Sequence, residues 1–369
     1  MSNPKQITRI AFLDYLRIFA FISVLIGHKF YADIVTAATD SKLHATPKLL
    51  LELLMPFVYA GGSGVVVFFL ISGYIISQVL SLEQTTSFLI RRVFRIYPLY
   101  VIAVLIQIIV QYEHWSFSFT VLVPQLLLIG DFFGTPYTLT GVEWTLRVEI
   151  VFYVFMAMLK TAGFWGERKH LLIFVLLITT GLMNQLPIFP DGLGIGVFKG
   201  YFLIYGPFLF LGAGFWLYEQ AWISFSWFFA LIIIVFVNYF NLISIYQSGW
   251  LPHHFAALGF LLFTVAWFFR SRFKVSTTIL LLSDLTYAVY LFHNWMFDIF
   301  KENALELLSL RQGQKFLTLE LLSLQQCTNF LTLVSLFAFC FLFHRIIERP
   351  ANKLGRIISL KVTEFKLGK

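Results

Sequence analysis

Apolar blocks close to twenty residues long recur along this chain, and their repetition limits what it can fold into more than any other feature. A helix crosses a hydrocarbon core with about 20 apolar residues. The 369 residues are 59% hydrophobic and 12% charged, with a mean hydropathy of +0.81. A soluble domain of this size carries roughly twice that charged fraction. The expectation is an all-α fold, a polytopic integral membrane helical bundle, with no room for a large soluble domain beside it.

About ten spans are predicted, at 10–30, 57–80, 96–112, 144–161, 171–186, 199–217, 224–242, 253–270, 279–297 and 328–346. The stretch 116–133 is apolar but short, has Pro124 inside it and ends near Asp131, so it is expected to be re-entrant or to lie on the outer surface. With that choice and both termini cytoplasmic, a clear majority of the 27 Lys and Arg residues fall on the inner side, as positive charge on cytoplasmic loops requires. The net charge of +8 has the same cause, and no nucleic-acid partner is expected. Lys5 and Arg9 precede the first apolar run, but no small-x-small cleavage site follows, so the run is expected to be a retained span. Tryptophans such as Trp115, Trp144, Trp216, Trp250, Trp267 and Trp295 fall near span ends, where their rings suit the headgroup level. No internal repeat is evident. The reading is one domain over 1–369, with core motifs at 13–350 and a basic cytoplasmic tail at 351–369. Cys327 and Cys340 are too few for a disulfide framework and read as small buried hydrophobes.

The informative residues are the polar ones inside the spans. In "LDYLRIFAFISVLIGH", Arg17 and His28 are eleven residues apart, which is about three turns, so both lie on one face roughly 16 Å long. Asp14 stands three before Arg17, close enough to pair with it. Ionisable groups at such depth usually face a cavity or the bundle interior. In "GGSGVVVFFLISGYIIS", Ser72 and Gly73 lie near mid-span, where small residues admit a neighbouring helix or a ligand. "FLIRRVFRIYPLY" puts Arg92 and Arg95 on one face at the inner mouth of the third span, a pattern that suits either phosphate binding or simple anchoring. "GVEWTLRVEIVFY" carries Trp144, a Glu143–Arg147 spacing suited to pairing, and Glu149 with no local partner. A lone buried carboxylate is costly and calls for a function or a distant partner such as His28. In "SDLTYAVYLFHNW", Tyr287, Tyr290 and His293 recur at three-residue spacing and share a face. "HRIIERP" closes the last span, where Glu348 is expected to pair with Arg345.

Six of these stretches, in this order over residues 13–350, resemble acyltransferase family 3, the polytopic membrane acyltransferases that act on surface glycans. Tyr15 and Ile18 stand where small residues are usual, and Thr145 replaces a usual Ser; no reactive group is lost. The resemblance implies transfer of an acyl group, most often acetyl, from cytoplasmic acyl-coenzyme A to a hydroxyl of an extracytoplasmic glycan or glycolipid. It implies a multi-pass protein of the bacterial inner membrane, and it leaves open a homo-oligomer or glycan-assembly partners. It makes His28 the expected catalytic residue, and Arg17, Arg92 and Arg95, with Asp14 beside them, the expected donor-binding residues. Acyl-coenzyme A enters as a substrate; no bound cofactor and no metal are expected.

The chemistry needs a base, because a sugar hydroxyl is a weak nucleophile until it loses its proton. A neutral His28 can take that proton, with Glu149 expected to orient it; an acyl-His intermediate is the alternative route. His293, Tyr290, Trp144, Ser72 and Gly73 are expected on the acceptor side or in support. Two other readings compete: a transporter or flippase of a glycan lipid or small anion, and a non-catalytic polysaccharide-assembly or receptor subunit. The acceptor (capsular or exopolysaccharide, lipopolysaccharide, peptidoglycan or a small metabolite) and the choice of acetyl over succinyl stay open.

Overall fold

The computed structural model describes residues 9–110, 118–133, 135, 138–185, 200–246, 254–312 and 318–367. Lys5, Trp115 and Trp250 lie outside the described residues. Fifteen α-helices and no strand occur among the described residues. They are α1 (Ala11–Lys29), α2 (Tyr31–Thr39), α3 (Ala45–Val58), α4 (Gly62–Leu82), α5 (Thr85–Val110), α6 (Phe119–Leu126), α7 (Trp144–Thr161), α8 (Leu172–Gln185), α9 (Tyr201–Glu219), α10 (Phe225–Tyr246), α11 (Phe255–Phe268), α12 (Thr277–Phe292), α13 (Trp295–Gln312), α14 (Thr318–Phe343) and α15 (Arg349–Leu367).

Among the described residues, each predicted span lies mainly on one helix. By length and apolar composition, six helical stretches among the described residues can cross a membrane: 11–29, 45–82, 85–110, 201–219, 225–246 and 324–363. Three further apolar helices, over 169–184, 255–268 and 277–292, are shorter. Helix α7 owes its lower hydropathy to Arg147, Glu149 and Lys160 within it. This is an all-helical integral membrane protein. Large apolar side chains such as Ile109, Ile178, Ile245 and Phe330 point outward, as lipid rather than water permits. Helix α6 has eight residues and so spans only about 12 Å, too short to cross, in keeping with the expectation for 116–133.

The two helices at the centre, α4 and α9, are apolar on all sides and buried on nearly all sides, the pattern of a core helix. They meet backbone to backbone. A Cβ on Gly73 would fall 1.9 Å from the Leu209 carbonyl oxygen, and one on Gly212 would fall 2.2 Å from that of Leu70. Without a hydrophobic force between helices in lipid, such close approach of small residues is what holds them. Helices α1 and α11 pack on α4, α8 and α10 lie outside α9, and α12 sits between α1 and α14. At the far end of α1, Gly27 packs against the Val58 carbonyl and the Gly61 amide, leaving no room for a side chain. That contact clamps the helix one residue before His28.

Three expectations are corrected. The ninth span was placed at 279–297, but α12 ends at Phe292 and the chain turns at His293–Asn294 before α13. Glu348 was expected to pair with Arg345; its Oε2 instead meets His344 Nδ1 at 2.9 Å. Residues 344–348 form a wide π turn, which leaves Arg345 facing a cavity. Of the two cysteines Cys340 is buried, but Cys327 is exposed. The described tryptophans lie in the first or last turns of helices or in the connections, as expected.

Candidate active site

Five helices, α1, α4, α5, α7 and α12, surround a narrow cavity. Helical periodicity decides which side chains line it. From α1 come Arg17, Ala20, Phe21 and Val24, which recur every three or four residues as one helical face does. Helix α12 gives Thr286, Tyr287 and Tyr290, and α5 gives Arg92, Arg95 and Ile96. The face where α1 begins is called basal here, and the opposite one apical. A second, wider and more polar cavity opens on the basal face. The two share Arg17, Ile75, Arg95, Thr286 and Tyr287, so the basal vestibule leads to the interior past two arginines.

The arginines arrive there by different means. Arg17 is held by Asp14, whose Oδ1 accepts from Arg17 Nη1 at 3.0 Å and from Ser283 Oγ at 2.7 Å. Arg9 bonds the same carboxylate through Nε at 2.8 Å and Nη2 at 3.0 Å. Asp14 is fully buried and lines neither cavity. Four bonds saturate it, and it anchors Arg17. Arg92 lies over the rings of Phe88 and Tyr153, at 5.5 and 5.9 Å. Neither Arg92 nor Arg95 forms an ion pair among the described residues, and Arg92 Nε is buried with no hydrogen-bond partner. Arg95 is close enough to both Arg17 and Arg92 to repel them. Three guanidinium groups gathered this way leave room for an anion.

Midway along the cavity, Glu149 Oε1 accepts from Ser72 Oγ and, at 2.8 Å, from Tyr153 Oη. The expected contact of Glu149 with His28 is absent. Glu149 lies on the arginine side of the cavity, where its carboxyl meets two hydroxyls and has Arg95 and Arg92 nearby. Tyr153 was missed in the sequence, although its i,i+4 spacing from Glu149 on one helix was a signal for it.

At the apical end Phe68 stacks on Tyr290, with ring centroids 6.1 Å apart. Tyr290 Oη bonds Thr145 Oγ1 at 2.6 Å and donates to the Val142 carbonyl at 2.8 Å. Just beyond, one turn past Val24 and Tyr290, His28 meets His293. His28 Nδ1 lies 2.9 Å from His293 Nε2, and the rings stack with centroids 5.0 Å apart. His28 is exposed and His293 is buried. Beside them Lys29 Nζ is bound to Asp298 at 2.7 Å.

The structure thus brings together Arg17, Arg92, Arg95, Ser72 and Glu149 on one cavity, and His28 with His293 past its apical end. Two expected residues lie elsewhere. Gly73 faces α9 and serves helix packing. Trp144 packs against Phe69, Tyr201 and Tyr205 and lines neither cavity. No cluster of three or more metal-ligating side chains occurs among the described residues.

Compared with known families, residues 10–345 match the family model of the acyltransferase domain, family 3. The chain belongs to acyltransferase family 3. The match takes in every helix that lines the cavity, and the His28–His293 pair as well. No curated protein and no solved structure matches the chain. Membership in this acyltransferase family gives the reaction class; the geometry above says which of its residues stand where.

Proposed function

We propose that the protein is a transmembrane O-acyltransferase of the bacterial plasma membrane. On this reading the basal face is cytoplasmic, as the bias of basic residues suggests, and the ten expected spans cross the membrane with both termini inside. Acyl-coenzyme A enters from the basal vestibule. Its phosphates meet Arg95, Arg92 and Arg17, and its thin pantetheine arm runs along the cavity past Glu149 and Ser72. The thioester reaches the apical end, where the hydroxyl of an extracytoplasmic glycan or glycolipid approaches His28 from outside. The observation that carries this reading is a pair of arginines that form no ion pair among the described residues, at one end of a cavity whose other end lies one helical turn from an exposed histidine, in a chain of an acyltransferase family.

The step is a general-base attack. The hydroxyl proton moves to His28 as its oxygen bonds to the thioester carbonyl carbon. The tetrahedral intermediate then collapses, the C–S bond breaks, and the thiolate leaves with that proton. Such base catalysis contributes roughly 10²–10⁴-fold. The apical lining includes Val24, Gly64, Val65, Phe68, Thr145 and Tyr290, with no cation among them, so a small neutral acyl group fits there better than succinyl, whose carboxylate would lack a partner.

The test uses the full chain in nanodiscs, following thiol release from acetyl-coenzyme A with a crude glycan extract as acceptor. His28→Ala is expected to bind the donor as the wild type does and to lose thiol release by about 10²-fold or more. If wild type and variant both fail to bind acetyl-coenzyme A, the donor assignment is wrong and transport of a glycan lipid or anion becomes the better reading.

A further inference from the structure

Two imidazoles meet past the apical end of the cavity, and a third group beside them fixes where their protons lie. His293 Nδ1 is 2.8 Å from the carbonyl oxygen of Tyr290. A carbonyl oxygen only accepts, so His293 Nδ1 carries the proton and donates it. A neutral imidazole has one N–H, so His293 Nε2 is then an acceptor. The atom facing it at 2.9 Å is His28 Nδ1, which must be the donor. His28 is left with its lone pair at Nε2, which has no hydrogen-bond partner among the described residues.

The secondary structure supplies the acceptor that starts this chain. Tyr290 is among the last four residues of α12, whose carbonyls have no partner within the helix. Because the chain turns at His293–Asn294, the His293 ring can fold back onto the Tyr290 carbonyl. The Leu291 carbonyl is met the same way, by Trp295 Nε1 at 3.0 Å. His293 is 1% exposed, so water does not compete for its nitrogens.

We propose that His293 is a positioning residue that holds His28 as the Nδ1–H tautomer and so presents Nε2 to the acceptor hydroxyl. Its kinetic consequence rests on the acyl-transfer reading above; the tautomer itself does not. As the acceptor proton arrives at His28 Nε2, the ring becomes an imidazolium and its Nδ1–H bond to His293 becomes charge-assisted. When the thiolate takes the Nε2 proton, the ring returns to its first tautomer. A carboxylate in the place of His293 would hold His28 more strongly but would bury an anion at membrane depth, at a cost a neutral ring avoids.

The experiment is nitrogen-15 NMR of the full chain in nanodiscs, with labelled histidine and no substrate, the His28 signals being assigned by comparison with His28→Ala. In the wild type, His28 is expected to show a protonated Nδ1 and an unprotonated Nε2. His293→Phe keeps a ring beside Tyr290 but removes the acceptor, and is expected to release His28 toward the Nε2–H form. His293→Gln offers an amide oxygen to His28 and is expected to restore the first tautomer. In acetyl-coenzyme A turnover, His293→Phe should lose on the order of 10²-fold in kcat with donor KM unchanged, and His293→Gln should regain most of it. An Nε2–H His28 in the wild type overturns the proposal, as does a His28 tautomer that is the same in His293→Phe. If His293→Phe does not fold, the wild-type and His293→Gln spectra still decide. If the tautomers behave as expected but the wild type turns over no acyl donor, the positioning assignment stands and the acyl-transfer reading fails.

Discussion

Arg95 projects into the cavity beside two other guanidinium groups, with the Glu149 carboxylate nearby but no ion pair among the described residues. Like charges held at such range cost free energy unless a ligand neutralises them. A charge-assisted hydrogen bond contributes about 1.5–3 kcal/mol, and each 1.4 kcal/mol is about tenfold in affinity. Arg95→Gln should therefore weaken acetyl-coenzyme A binding by about 10- to 100-fold, read by calorimetry or by donor KM, with kcat much less affected. Arg95→Lys should recover only part of that, because an ammonium cannot fork two bonds to one phosphate. Equal donor affinity in wild type and Arg95→Gln would remove the arginine cluster from the donor site. The role of Glu149 changes at this scale too. Its bonds to Ser72 and Tyr153 make it part of the cavity wall on the arginine side, and the orienting contact to His28 falls to His293.

Among the elements, the α4–α9 contact determines the shape of the cavity. Ser72 and Gly73 are neighbours on α4 with different tasks: Ser72 faces Glu149 in the cavity, and Gly73 lets α9 close on the other side. Any side chain on Gly73 must displace the Leu209 carbonyl, and backbone there cannot yield as a flexible side chain would. Gly73→Val is expected to destabilise the bundle by about 1–3 kcal/mol or more, as overpacking does, seen as a lower thermal midpoint and loss of the monodisperse peak in detergent. Gly166→Ala is the control, since the nearest atom to its Cβ is at 3.7 Å, and should leave the midpoint unchanged. If Gly73→Val is as stable as Gly166→Ala, the two central helices are not in backbone contact.

For the whole molecule, the proposed reaction requires that the vestibule and the histidine pair open on opposite sides of the membrane. Lys42 is exposed in the connection between α2 and α3, on the apical side with His28, and Lys361 is exposed on α15, which lies along the basal end of α5. In a background with both native cysteines replaced, Lys42→Cys should react with an impermeant maleimide in intact cells. Lys361→Cys should react only after permeabilisation. The reverse pattern would put the arginines outside, away from any cytoplasmic donor, and the donor route would fail.

What the sequence determined was local. Hydropathy set the membrane and the helices, because desolvating a backbone in lipid leaves the chain little choice but to satisfy itself within each segment. The 3.6-residue period put Arg17 and His28 on one face and Tyr287, Tyr290 and His293 on another, because those relations are fixed within a single helix. The Asp14–Arg17 pair was legible for the same reason. Only the tertiary structure decided which faces meet. His28 and His293 are 265 residues apart in sequence, and Ser72 and Glu149 are 77 apart. Spacing within one helix says nothing about such pairs, because they depend on how all the helices pack at once. The same holds for the turn after Phe292, which frees the Tyr290 carbonyl and brings His293 back onto it. His293 and Asn294 interrupt the apolar run at that turn, but only the folded chain shows that the turn carries the His293 ring back onto the Tyr290 carbonyl and, with it, sets the proton on His28.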